Sequence, residues 1–387
     1  MKILLYNNNH LPSIGGKEIV VHHLARCYVA KGHEVVLAGP GGFWIDRGFT
    51  FDYPIHRWPR IPGLRHPRDW RVHFVIERLR FRFDVIHAHT TYPNGYVAAL
   101  MKGWHRRPLV ITPHGADIHK VPEIGFGHRL DPELDEKIRY ALERAESVTA
   151  ISKAVEDSIL DTGVDAAKIC AIPNGVDVER FARIQTFDIH AYLDIPPEAP
   201  LIVSIGNYHP RKGHEVLVDA LRLARERIPD MRLAIVGRKS DILEEKITRD
   251  GMTDYVRYTG LLEFPLPGQE DEPDVLSALL QSTTAYVSSS MAQGTEGLSL
   301  ALLEAMSAGV CPIATRVSGN VDIIDNRVNG LLVEPGNATS LADAMVEMCT
   351  NAHDRERFAG MARQTVEPFT WQAIAERYLD LFESLCK

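Results

Sequence analysis

Two glutamates stand eight residues apart in the stretch Glu296-Gly-Leu-Ser-Leu-Ala-Leu-Leu-Glu304-Ala-Met-Ser-Ala-Gly309. The run after Ser299 is apolar almost all round and stops at Gly309, which predicts a buried helix covering a sheet. Read as one helix, the pair lies roughly 12 Å apart along the axis and about 80° apart around it. Carboxylates that cleave a glycosidic bond are held within roughly 5–9.5 Å, so this is not one bond-cleaving pair. The spacing suits the two ends of an extended phosphorylated ligand. A helix opening on Gly297, Leu298 and Ser299 also turns unpaired N–H groups toward an anion without any basic side chain. The plain alternative is a core helix with one glutamate near its start and another on its exposed side.

Three further places carry residue types suited to the same ligand. Arg211-Lys212-Gly213 follows an apolar strand and brings two cations, which can neutralise a departing diphosphate. His114, in Pro113-His-Gly115, follows the apolar run Leu109–Thr112. That is the carboxyl end of a strand, where α/β folds bind ligands, and an imidazole there can donate to a sugar hydroxyl without a fixed charge. Gly15-Gly16 lies between the first strand and the first helix, where backbone can approach a ligand closely, but the spacing is not G-x-G-x-x-G. His87, His89 and Asn94-Gly95 flank another strand end and are assigned to the pocket wall. There is no H-E-x-x-H and no convincing D-x-D between strands. Neither a metal nor a cofactor is expected, and phosphate charge falls to Lys212, Arg211 and helix dipoles.

Such residues need elements to hold them, and the chain has room for two sets. At 387 residues it exceeds the size at which one core keeps growing. Apolar runs alternate with helical stretches from Ile3 to Ile172, break in a proline-containing stretch between Phe181 and Ala199, and restart at Leu201. This predicts two doubly wound, Rossmann-like α/β domains facing across a cleft. The boundaries read as 1–182, 183–365 and a terminal segment 366–387 with helical spacing at Ile374, Tyr378, Leu381 and Leu385. The loop from Phe264 to Pro273 reads as a mobile rim.

Five scattered cysteines argue against a disulfide framework and fit a reducing cytoplasm. Met1–Tyr6 is too short for a secretory signal, and no run approaches a membrane span. The net charge of −8 is uneven: between His56 and Arg107 eleven Lys/Arg face three acids, near +8 for that segment alone. Trp58, Trp70, Phe74, Phe81, Phe83 and Trp104 are interleaved with them. Basic residues mixed with aromatics suit an anionic membrane surface or an anionic acceptor; the alternative is a solvated basic helix with an aromatic core face. Nucleic acid is not expected, because the whole is acidic and no reading motif is present.

Taken in order, Gly15-Gly16, Thr112-Pro-His-Gly-Ala-Asp117, Pro173-Asn-Gly-Val-Asp177, Pro210-Arg-Lys-Gly213, Glu296–Glu304 and Gly330-Leu-Leu-Val-Glu-Pro-Gly336 resemble the retaining glycosyltransferases of family 4. That family uses the two-domain GT-B fold. The resemblance implies that Lys212 stabilises the leaving diphosphate, that His114 lies beside the reacting sugar with Asp117 close by, and that Glu296 faces the transferred sugar. It implies that amides from Gly297 to Ser299 hold phosphate oxygens and that Glu304 accepts from ribose hydroxyls. The family often has Phe-Gly where Leu298-Ser299 stand, and its arginine partner of the lysine falls at Asn207 here. Either Arg211 supplies that second charge, or leaving-group stabilisation is weaker. Gly237-Arg238 and Gly260-Leu261 would wall the base pocket, and the terminal helix would brace the first domain.

The implied activity is metal-independent transfer of a sugar from a nucleotide-diphosphate sugar (UDP first, GDP or ADP as alternatives) with retained anomeric configuration. The stretch Gly294-Thr-Glu-Gly-Leu-Ser299 is similar to members that build bacterial surface polysaccharide. It implies a glycan or lipid-linked acceptor and a peripheral place on the inner face of the cytoplasmic membrane. The rival readings are a non-catalytic sugar-nucleotide-binding module and a GT-B epimerase or phosphorylase; a dehydrogenase is the weakest.

Overall fold

The computed structural model describes residues 1–11, 15–40, 51–58, 70–262, 273–292, 294 and 296–387. Arg60, Arg65 and Arg68 of the basic segment and most of the 264–273 loop lie outside the described residues. The chain divides into two compact units, one of Met1–Gly175 with Trp371–Lys387 and one of Val176–Thr370.

Unit 1 is built on a seven-stranded parallel sheet in the order β3-β2-β1-β4-β5-β6-β7. Its strands are β1 (Lys2–Tyr6), β2 (Glu34–Pro40), β3 (Ile55–Trp58), β4 (Val85–His89), β5 (Leu109–Thr112), β6 (Ser147–Ala150) and β7 (Ile169–Ala171). The inner strands read as apolar runs because helices cover both faces of a parallel sheet. Ile3, Leu4, Val85, Ile86, Leu109 and Ile111 are wholly buried. The edge strand β3 begins Ile-His-Arg and carries no apolar run, so no strand is read there from the sequence.

The terminal helix Trp371–Cys386 packs within unit 1. Phe382 meets Tyr28 of the helix Gly16–Ala30 edge-on, and Tyr378 lies 4.7 Å from the His87 ring.

Unit 2 repeats the plan with six parallel strands in the order β10-β9-β8-β11-β12-β13. They are β8 (Leu201–Ile205), β9 (Arg232–Val236), β10 (Val256–Gly260), β11 (Ala285–Ser288), β12 (Pro312–Thr315) and β13 (Leu331–Val333). The division between units falls at Gly175 rather than at 182. Val176 and Phe181 explain the difference, since both are buried in one cluster with Leu302, Met306 and Val366 of unit 2.

In each sheet the strand order reverses once, between β1 and β4 and between β8 and β11. Strand carboxyl ends beside such a reversal splay their loops apart, and doubly wound sheets bind ligands there. Among the described residues no helix is long and apolar enough to cross a membrane.

Candidate active site

Lys212 and Glu296 flank the reversal point of unit 2: the loop after β8 carries Pro210–Lys212, and the loop after β11 carries Glu296. Backbone contacts join the two loops. Ser289 Oγ donates to the Lys212 carbonyl at 2.8 Å, and the Met291 N–H donates to the Arg211 carbonyl at 2.8 Å. Gly213 makes this approach possible. Its φ is +67°, and a Cβ there would lie 2.1 Å from the Ser289 carbonyl oxygen.

Three groups then converge on one carboxylate oxygen. Glu296 Oε1 lies 2.5 Å from Lys212 Nζ, 3.1 Å from Arg211 Nη1 and 3.2 Å from Ser290 Oγ, which donates to it. Burial alone would raise the Glu296 carboxyl, but the Lys212 and Arg211 charges outweigh it and hold the group below the usual carboxylate range. Arg211 and Lys212 thus share one carboxylate oxygen. Asn207 has a different position in this loop: its Oδ1 accepts the Arg238 N–H at 2.8 Å and so clamps the turn after β9.

The helix of the glutamate pair starts later than its sequence suggests. It spans Leu300–Ser307, with Ser299 as N-cap accepting from the Leu302 N–H at 3.4 Å. Serine is a strong N-cap, so Gly297 and Leu298 stay outside the helix and Glu296 precedes it. The axial spacing drawn for one continuous helix does not apply to this pair. Leu298 is buried in the same core cluster as Leu302, so its side chain is committed to packing.

Glu304 lies partly buried on that helix. Burial raises its carboxyl to about 7; Arg180 opposes the shift and Asp274 adds to it. Those two neighbours are themselves paired through two hydrogen bonds, at 2.6 and 2.9 Å.

In unit 1 the residues of interest sit at the carboxyl ends of β4 and β5. His87 and His89 alternate onto one face of β4, and both are completely buried. His87 Nε2 meets Thr112 Oγ1 at 2.7 Å, and His89 Nδ1 meets His114 Nε2 at 3.0 Å. Asp117 is occupied by backbone: its oxygens accept the N–H groups of His114 at 2.8 Å and Thr91 at 2.7 Å. This carboxylate fixes the turn that carries His114. Burial lowers His114 to about 4, the Asp117 charge opposes that shift and the Lys17 charge adds to it.

Lys17, whose Nζ donates to Asn8 Oδ1 at 2.7 Å, is a cation near His114 that the sequence reading passed over; its signal was its place directly after Gly15-Gly16. Gly15 caps the first helix in an extended conformation that any residue adopts, and Gly16 begins that helix. Among the described residues no cluster of three or more His, Cys, Asp or Glu side chains is placed to hold a metal.

Two family models match the chain in succession, Glycosyltransferase Family 4 over residues 14–180 and Glycosyl transferases group 1 over residues 199–351. The chain is similar over its whole length to solved two-domain structures. The HepE protein of Anabaena in complex with UDP-glucose superposes with a TM-score of 0.81, 21% identity and complete coverage of both chains. Sucrose-phosphate synthase of Thermosynechococcus elongatus gives 0.82 at 21% identity, over 99% of this chain and 98% of that one. These likenesses define a two-domain α/β protein with the GT-B fold. The phosphatidyl-myo-inositol mannosyltransferase of Mycobacterium tuberculosis is 29% identical over 96% of this chain and 93% of its own. The GDP-mannose:cellobiosyl-diphosphopolyprenol alpha-mannosyltransferase of Xanthomonas campestris is 26% identical over 99% and 97%. The chain belongs to the family 4 glycosyltransferases and is a glycosyltransferase.

Proposed function

We propose that the protein transfers a sugar from a nucleotide-diphosphate sugar to a glycan or lipid-linked acceptor, with retention of anomeric configuration and without a metal. The observation that carries this reading is the meeting of Lys212 and Arg211 on one Glu296 oxygen at the sheet's reversal point. Two cations held there can take up the charge of a diphosphate as the sugar–oxygen bond breaks. Glu296 lies beside them to face the cationic sugar that forms. Glu304 accepts from the ribose hydroxyls, and backbone from Gly297 to Ser299 meets the phosphates. In unit 1, His114 donates to a hydroxyl of the transferred sugar. Attack on the face from which the diphosphate leaves gives retention.

A UDP-sugar is the first donor to test, since the Anabaena neighbour holds UDP-glucose; a GDP-sugar is the second, given the mannosyltransferase relatives. A lipid-linked acceptor fits the face of the helix Trp70–Arg80, on which Val72, Ile76 and Leu79 are exposed beside Arg71, Arg78 and Arg80. An apolar stripe flanked by arginines suits the inner, anionic surface of a cytoplasmic membrane.

Thermal denaturation with a panel of UDP-, GDP- and ADP-sugars tests the donor, because a ligand at 100 times its Kd stabilises the fold by about 2.7 kcal/mol. No shift from any nucleotide sugar overturns the reading.

A further inference from the structure

The buried imidazole behind His114 has a role that the transfer reading does not assign. His89 is wholly buried, and its Nδ1 lies 3.0 Å from His114 Nε2 with the two rings stacked 24° from parallel. One of those nitrogens must carry the shared proton, and the far side of His89 decides which. His89 Nε2 is buried and meets no hydrogen-bond partner among the described residues. A neutral imidazole has one N–H and one lone pair. If His89 accepted at Nδ1, its Nε2 would bury an N–H with no acceptor, a rarer and costlier arrangement than an unpaired lone pair. The proton therefore belongs on His89 Nδ1, and His114 Nε2 accepts it.

We propose that His89 is a positioning residue that locks His114 as its Nδ1–H tautomer, so that His114 offers a donor rather than a lone pair to a ligand hydroxyl. His114 is partly exposed, and its Nδ1 makes no hydrogen bond among the described residues. Both rings are neutral near pH 7, as the pattern requires: burial lowers His114 to about 4, and burial with the nearby His87, His114 and Lys17 lowers His89 well below its ordinary value. Behind them, the His87 ring packs on that of His89 with centroids 4.1 Å apart. This inference rests on His114 contacting the transferred sugar, but the tautomer itself is a property of the free protein.

The full chain labelled with ¹⁵N-histidine provides the test. Long-range ¹H–¹⁵N correlations, assigned through the signals lost in His114→Gln, should show His114 protonated at Nδ1. In His89→Leu they should shift toward the Nε2–H form that free imidazole favours. His89→Asn puts an amide N–H near the former Nδ1 and should restore the wild-type pattern. With donor saturating, turnover should fall about tenfold in His89→Leu, return to within about threefold in His89→Asn, and leave donor KM little changed. His114 protonated at Nε2 in the wild-type chain overturns the proposal, as does an asparagine variant no better than the leucine one. Unchanged transfer by His114→Gln would instead remove the contact with the sugar, whatever tautomer the spectra show.

Discussion

In unit 1 the residues around His114 are held by neutral imidazoles and by one carboxylate given wholly to backbone N–H groups. In unit 2, two cations and a carboxylate meet at a single oxygen atom. Both sets lie on loops at strand carboxyl ends of doubly wound sheets, so the fold alone does not set them apart. The ligands proposed for them do. A sugar hydroxyl needs direction, which a fixed donor supplies. A diphosphate needs charge, which only ionised groups supply in quantity.

Substitutions should separate the two sides by size of effect. Lys212→Ala removes a full charge from the leaving side and should lower kcat about 10³-fold in a steady-state transfer assay. A loss below tenfold would mean that unit 2 does not meet the leaving group through this lysine. Glu296→Ala should cost about 10²-fold in kcat while nucleoside diphosphate binding, followed by calorimetry, holds or tightens. Weaker binding would place Glu296 among the groups that hold the ligand rather than those that compete with it.

On the unit 1 side the effect should be one of stability. Asp117→Ala leaves two backbone N–H groups without their acceptor and should cost about 2–3 kcal/mol in chemical denaturation. A neutral outcome would show that the His114 turn is held by other means.

The smallest effect concerns pH. With its carboxyl at about 7, Glu304 gains negative charge as pH rises from 6 to 8 and becomes a stronger acceptor for hydroxyl donors. Donor KM should therefore fall about fivefold over that range, and Glu304→Gln should flatten the profile. An unchanged slope in the glutamine variant would assign the titration to another group.

The sequence made the two-domain α/β plan readable because parallel strands buried on both faces leave unbroken apolar runs such as Leu201–Ile205. It hid β3, an edge strand whose His56 and Arg57 carry no such signal. The residue types at Lys212, Arg211 and Glu296 were legible, but their convergence was not. It depends on Ser289 and Met291 binding the carbonyls of the basic turn across the sheet's reversal point. Helix starts are set by competition between neighbouring caps, and Ser299 prevailed over Gly297 in a way that periodicity does not reveal. The family resemblance sets Asp117 close to His114 beside the reacting sugar. Only coordinates show that both its oxygens face amides.

Two like charges side by side on a short turn repel, and Glu296 relieves that repulsion within the fold. The basic turn thus carries its own counter-ion. A diphosphate bound there, as proposed, would have to displace a tethered rival rather than loosely held water, which would favour a doubly charged group over singly charged anions. Selectivity for pyrophosphate over monovalent anions can therefore originate in the protein's own carboxylate.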